Sequence, residues 1–385
     1  MKIRLIALSV AILMTTIFAV RSIYKPSSTA VNNPSISKLD QRILRAQQSI
    51  AQSPKSAEGY NQLASAYMQK ARESADFAFN ANAGDAITQS LTVEPDNYDG
   101  LKLRTKLQLT YHRFAEALET AHHLQTFRRD DHDVWGQITD ALVELGDYPG
   151  AVKAAQNMVD LRPDSSSYAR VSYLRTLHGD TRGAIDAMIA AVKAADPNNP
   201  EGMAWCRVQL GNELLNAGKL PDAEREFDAA LQIFPNHSLA LQSKARARVA
   251  AGDLQSAIAI YERESGSADA AQALGDLFTR LGKADAARAA YARFETLERE
   301  NAALERSWRH MVNYWLDRDQ NLDEALRLAA AEYESRKDIF TCDSLAWALF
   351  KNGRVSEAKK VMKEALRTGS KDQRINDHAT KINQS

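Results

Sequence analysis

Apolar and small residues recur along this chain in helix-length blocks, and each block is closed by a short polar turn. Six of these turns pair glycine with a polar or charged residue: Gly146-Asp147, Gly179-Asp180, Gly218-Lys219, Gly252-Asp253, Gly282-Lys283 and Gly353-Arg354. Each follows a helix-like stretch and precedes another by a few residues. Glycine suits the left-handed position that ends a helix, because it has no Cβ to clash there. A few residues later an alanine recurs, at Ala151, Ala184, Ala223, Ala257, Ala287 and Ala358, with Ala117 and Ala325 in the same series. The spacings along that series are 34, 33, 39, 34, 30, 38 and 33 residues. A period near 34 is that of a repeated helix-turn-helix unit.

The other markers keep this register. About twelve residues before each alanine sits a residue that is usually small: Thr105, Thr139, Ser172, Gly211, Ala245, Gly275 and Ala346. Small side chains at both places let two antiparallel helices approach to about 8–10 Å. Phe227, Tyr261 and Tyr291 follow their alanines by four residues and are placed to fill the gap to the next unit. Pro95, Pro163 and Pro235 stop second helices, whereas Pro149 and Pro221 stand in first turns, where a missing N–H costs nothing.

These residues resemble the tetratricopeptide repeat (TPR) family. The best unit is 205–236 (WCRVQLGNELLNAGKLPDAEREFDAALQIFPN), with Leu210-Gly211, Ala223, Phe227, Ala230 and Pro235 in the family's places. Trp135, Ala151 and Pro163 mark a second good unit, and Leu274-Gly275, Ala287 and Tyr291 a third. The segments 67–73 (YMQKARE) and 343–350 (DSLAWALF) look like those of long bacterial multi-repeat proteins. Two units depart from the pattern, one with extra residues at 71–84 and one with Asp319-Gln320-Asn321 where the turn glycine would stand. The resemblance implies an all-α fold, a right-handed α-solenoid of about nine TPR helical hairpins over 57–370. A polar C-terminal stretch would add a capping helix or tail at 371–385, shielding the last hairpin as solenoid ends require.

The N-terminus has a different pattern. Lys2 and Arg4 precede an apolar run over 5–20 broken only by Ser9, Thr15 and Thr16, and Arg21 ends it. Residues 1–25 read as a signal peptide or membrane anchor, with an ordinary buried helix as the remaining reading. No cysteine lies near the end of the run, so a lipid-anchored form is excluded. Residues 26–56 read as a polar spacer and a first helix. The expected location is therefore outside the cytoplasm: anchored in the cytoplasmic membrane and facing the periplasm or outside, or secreted after signal cleavage.

Composition changes this picture little. The 49 basic residues balance 49 acidic ones, which argues against bulk electrostatic binding of nucleic acid. Two cysteines, Cys206 and Cys342, exclude a disulfide framework and a four-thiolate zinc site. About four repeats separate them, too far for a disulfide. No phosphate-loop, dinucleotide, zinc-protease or nucleophile-elbow motif occurs, and the repeats leave no stretch for a catalytic domain. No enzyme activity, cofactor or metal is expected. His122, His123 and His132 beside Asp130, Asp131 and Asp133 look metal-like, but adjacent helix residues point about 100° apart, so the cluster reads as a polar helix end. Asn236-His237-Ser238 and Asn383-Gln384-Ser385 are glycosylation-type triplets of no special weight in a chain whose leader looks bacterial.

In the TPR family the first helix of each hairpin lines a concave groove that contacts partners. By register the resemblance places Asp140, Tyr173, Trp205, Asn212, Gln242, Arg246, Asp276, Arg280, Tyr314 and Trp347 on that face. Tyr173 and Trp347 could instead pack between helices. A carboxylate-clamp subtype grips acidic peptides through Lys and Asn; Asn212 matches, but Val208 stands where the lysine would be. The expectation is a scaffold or adaptor binding another protein or peptide of mixed polarity. An accessory factor for envelope biogenesis, in polysaccharide secretion or in cofactor or protein maturation, is the alternative.

Overall fold

The computed structural model describes residues 37–74, 76–303 and 307–384. The leader and most of the spacer lie outside the described residues. No helix among the described residues is long and apolar enough to cross a membrane. The chain divides into two units, Met1–Gln41 and Arg42–Ser385. Of the first, only 37–41 are described; they open helix α1 (Lys38–Gln52).

The second unit is all helical. After α1 come α2 (Ala57–Ser74) with α3 (Phe79–Val93), α4 (Tyr98–Thr110) with α5 (Phe114–Phe127), and α6 (His132–Glu144) with α7 (Tyr148–Leu161). Then follow α8 (Ser165–Leu177) with α9 (Thr181–Lys193), α10 (Pro200–Asn216) with α11 (Leu220–Ile233), and α12 (Ser238–Ala250) with α13 (Leu254–Arg263). The last pairs are α14 (Ala268–Arg280) with α15 (Ala284–Ala303), α16 (Arg309–Asp317) with α17 (Leu322–Ser335), and α18 (Ile339–Lys351) with α19 (Val355–Ala365). Helix α20 (Gln373–Gln384) ends the chain. Among the described residues this makes nine stacked hairpins between α1 and α20. The fold is an α-solenoid.

Local chemistry explains the hairpins. All six turn glycines have positive φ, between 68° and 81°. Where glycine is missing, Asp319 (φ 52°) and Asn321 (φ 46°) take the left-handed positions, which short polar side chains tolerate best. Asp147, Asp180 and Asp253 each accept a hydrogen bond from the backbone N–H three residues on, capping the helix that follows. The small residues meet as their register requires: Thr105, Thr139, Ser172 and Ala245 are buried, as are the eight second-helix alanines from Ala117 to Ala358. The Ser172 hydroxyl donates to the Ala184 carbonyl at 2.8 Å, so these two helices touch at the predicted pair.

The end of the chain closes over the last hairpin. Ile375, His378, Ala379 and Ile382 of α20 are buried. His378 stacks on Trp347 with ring centroids 4.1 Å apart, and its Nδ1 lies 2.9 Å from the buried Asp343 carboxylate.

The stack also returns upon itself. The α17–α18 linker meets the α6–α7 turn: the Lys337 N–H donates to the Glu144 carbonyl and the Ile339 N–H to the Tyr148 hydroxyl, both at 2.9 Å. Arg336, itself 5% exposed, bonds Glu144, Asp338 and Glu332. One apolar core runs through this junction, including Val143, Tyr148, Leu174 and Leu177 on one side and Ile339, Cys342 and Met362 on the other.

Gly146 is therefore more than a turn. A Cβ there would lie 2.6 Å from the Lys337 carbonyl oxygen, whereas one on Gly252 would meet nothing within 4 Å. Both substitutions to Ala carry the left-handed strain of about 1–2 kcal/mol. Gly146→Ala should cost roughly 1–3 kcal/mol more by pushing the junction apart. Thermal unfolding of the two variants side by side checks this.

Candidate functional site

The inner face is built by the first helices of successive hairpins. Counted from the small buried residue of each, three positions repeat: six before it, two before it and one after it. The first gives Asp99, Asp133, Ser166 and Trp205, the second Leu103, Gln137, Arg170 and Gln209, and the third Lys106, Asp140 and Tyr173. The spacing i, i+4, i+7 is one face of a helix, so these residues form three stripes across α4, α6, α8 and α10.

The stripes line contiguous hollows. One, about 910 Å³, is walled by α1, α2, α4, α6, α7 and α8 and contains Arg42, Arg45, Lys102, Lys106, Gln137 and Arg170. A second, about 300 Å³, lies between α6, α8, α9 and α10 and contains Tyr173, Trp205, Gln209 and Glu213. Both share Asp140, Ser166 and Arg170. Across the body, Lys106 and Thr110 also border a hollow of about 730 Å³ with Gln242, Ser238 and His310.

Neighbouring first helices are laced together across this face. Lys102 donates to Asp131 at 2.9 Å and to Asp133 at 3.1 Å, and the Gln137 amide donates to the Lys102 carbonyl. Arg170 clasps Asp140 with two bonds of 2.8 and 2.6 Å and also donates to the Gly136 carbonyl. Thr176 donates to Glu213, Arg246 to Asn212, and Arg318 to Asp276. Each bond spans about one repeat, so these polar groups hold the curvature.

This lacing decides where the expected contact residues stand. Asp140, Tyr173 and Trp205 line the contiguous hollows, and Gln242 lines the hollow of about 730 Å³. Asp140 is held by Arg170, Asn212 and Arg246 hold one another, and Asp276 is engaged by Arg318 and the Tyr291 hydroxyl. Arg280 is exposed. Two expected positions are corrected. Tyr314 is only 4% exposed, packed on Phe294 and Tyr291 under Arg318, and Trp347 only 5%, covered by His378 of the terminal helix. Both belong to the core.

Several residues of the face escaped the register argument. Lys106 follows Thr105 as Asp140 follows Thr139, so the same rule reaches it. No carboxylate bonds Lys106 among the described residues. It stays in contact with solvent, yet the crowded walls, and then Arg72, lower its pKa from the usual lysine value. Glu213 is half-buried with a hydroxyl as its partner, and burial raises its pKa against the Thr176 hydrogen bond. Arg170 sits on a stripe and Lys102 stands beside one, next to Leu103, and neither had a signal beyond its charge.

Elsewhere, burial raises both Cys206 and Cys342 to about 11, so neither is a thiolate at neutral pH. Both are buried free thiols. His132 is buried between Asp133 and Asp164, a helix-end contact in keeping with its place in the sequence. No group of three or more metal-binding side chains occurs among the described residues.

Residues 208–271 match the family model described as tetratricopeptide repeat. No curated protein matches the chain. Among solved structures it is similar to the crystal structure of the APC/C hetero-tetramer Cut9–Hcn1, with TM-score 0.52 and 14% identity over 88% of this chain. This chain spans 59% of the length of that one. It is also similar to the human IFIT1 dimer with m7Gppp-AAAA, with TM-score 0.54 and 14% identity over 86% of this chain and 76% of that one. Likeness at this identity concerns the fold, a TPR-like solenoid.

Proposed function

We propose that this protein is a non-enzymatic scaffold that holds an extended segment of a partner protein against its inner face. The observation that carries this reading is the three-stripe surface, whose periodic positions open onto contiguous hollows from α2 to α10. Most ionic groups there are already paired between helices, so the face is preformed, and a ligand need not order it. What is left over is mixed: Lys106 at one end, Glu213 and two exposed aromatics at the other. That suits a partner of mixed polarity rather than a polyanion.

The leader at 1–25 extends this reading to an exported scaffold, anchored in or released from the cytoplasmic membrane, with an accessory role in envelope biogenesis as the alternative. Tyr173 and Trp205 favour a second occupant, a glycan, because sugars stack on exposed rings.

Affinity capture with full-length protein tests the reading. Trp205→Ala combined with Lys106→Ala should reduce recovery of the specific partner at least tenfold while leaving the helical circular dichroism intact. Undiminished recovery would move the site off this face. Binding of the unsubstituted protein to a polysaccharide array, lost on Trp205→Ala, would favour the glycan.

A further inference from the structure

We infer that the Tyr173–Trp205 hollow receives a cationic side chain, lysine or arginine, from the bound segment. The inference rests on the inner face being the binding face and names the chemistry of one subsite. Tyr173 is 43% and Trp205 39% exposed, on consecutive first helices of a body that buries Tyr314 and Trp347 almost completely. Both rings wall the same hollow of about 300 Å³. A hollow of that size takes one side chain.

The charges around it settle which kind. Arg170 is the cation that lines the hollow, and it is already engaged: Asp140 accepts from its Nε and Nη2, Gly136 shares the Nε–H, and Ser166 accepts from Nη1. Asp140 and Arg170 together add no net charge. Glu213 is left over. Thr176 donates to it at 2.8 Å, and no basic side chain bonds it among the described residues. The hollow thus offers two π faces and one uncompensated carboxylate.

Each candidate occupant meets that set differently. An anionic side chain would be repelled by Glu213. An apolar one would gain the rings but strip water from a carboxylate and give nothing back. A lysine or arginine gains on both counts, by cation–π contact with the rings and by a charge-assisted hydrogen bond to Glu213. The far end of the face has the opposite demand, since no carboxylate bonds Lys106 there among the described residues. The subsite therefore also sets the direction in which a segment of mixed charge lies.

The test uses small probes and needs no knowledge of the partner. Full-length protein carrying 5-fluorotryptophan is titrated with Nα-acetyl-arginine amide, Nα-acetyl-lysine amide, Nα-acetyl-leucine amide and Nα-acetyl-glutamate amide. The Trp205 resonance is assigned by its loss in Trp205→Phe. The two cationic probes should shift it saturably, at least about tenfold more tightly than the leucine probe, with no response to the glutamate probe. Glu213→Gln keeps the shape and should weaken the cationic probes about tenfold. A leucine response equal to the arginine response, or cation binding unchanged in Glu213→Gln, overturns the inference. Partner capture that depends on Trp205, with no cation selectivity, sinks the subsite and leaves the scaffold standing. Cation selectivity with capture indifferent to Trp205 and Lys106 does the reverse.

Discussion

Arg336→Ala is expected to cost about 3–5 kcal/mol and to free the C-terminal hairpins from the α6–α7 turn, the effect of removing one partner from a buried ionic cluster. Arg336 reaches Asp338 at 2.9 Å and Glu332 at 3.3 Å and also holds Glu144, 192 residues away in sequence. Asp338 is 3% exposed. Burial alone would raise its pKa, but Arg336 and Arg309, with the Thr341 bonds, hold it below the usual aspartate value. Without Arg336, three carboxylates lose their shared cation, and Arg309 pairs with Asp338, at 3.5 Å. Hydrogen exchange should then rise in α16–α20 far more than in α10–α13, and the C-terminal hairpins should unfold at lower urea than in the unsubstituted protein. An unchanged exchange pattern would mean that the apolar part of the junction suffices.

The same cluster gives a pH dependence with a definite sign. Burial pushes Glu144 up to about 7, against the pull of Arg336. Its unfolded value is near 4.5, so the folded body binds the extra proton between about 4.5 and 7. Stability from this group is therefore fully present below the unfolded value and is lost as pH rises towards 7. Glu144→Gln should flatten that slope in a series of melts, leaving the rest of the profile in place.

The hairpins were legible because each is specified within about 34 residues. A turn glycine, a small residue, an alanine twelve positions on and an aspartate cap are local instructions, and all six turn glycines adopted the expected left-handed backbone. The inner stripes were legible for the same reason, which is why Asp140, Tyr173 and Trp205 reach the hollows. What the repeat does not contain is its rotation relative to the next. That small angle, summed over several hairpins, brings Arg336 to Glu144, and no single unit records it. Tyr314 and Trp347 stood at register positions facing inwards, but neighbouring aromatics and the terminal helix cover them. Asn212, Arg246 and Asp276 are polar residues of first helices engaged with neighbouring hairpins. Their bonds to neighbouring hairpins depend on how near one first helix comes to the next.

Phe227→Ala should be the most damaging substitution inside a single hairpin, at about 3–5 kcal/mol, because the ring is fully buried and fills the seam between α10 and α11. The converse change tests the same seam from the other side. A Cβ on Gly211 would run into the Phe227 ring, and a Cβ on Gly275 into the Tyr291 ring. The two sites share a register but not an escape. Phe227 is enclosed by the core around Ala223, Ala230 and Ala240 and has nowhere to go. Tyr291 is only partly buried and can swing towards solvent, at the cost of its 2.7 Å bond to Asp276. Gly211→Ala should therefore destabilise by about 2–3 kcal/mol and Gly275→Ala by about 1 kcal/mol, the ordinary range for overpacking and for one lost hydrogen bond. In the double variant Gly211→Ala/Phe227→Leu the smaller side chain makes room, so the two losses should fall short of additive by about 1 kcal/mol or more. Strict additivity in that cycle would show that the glycine is required by α10 itself rather than by the ring packed against it.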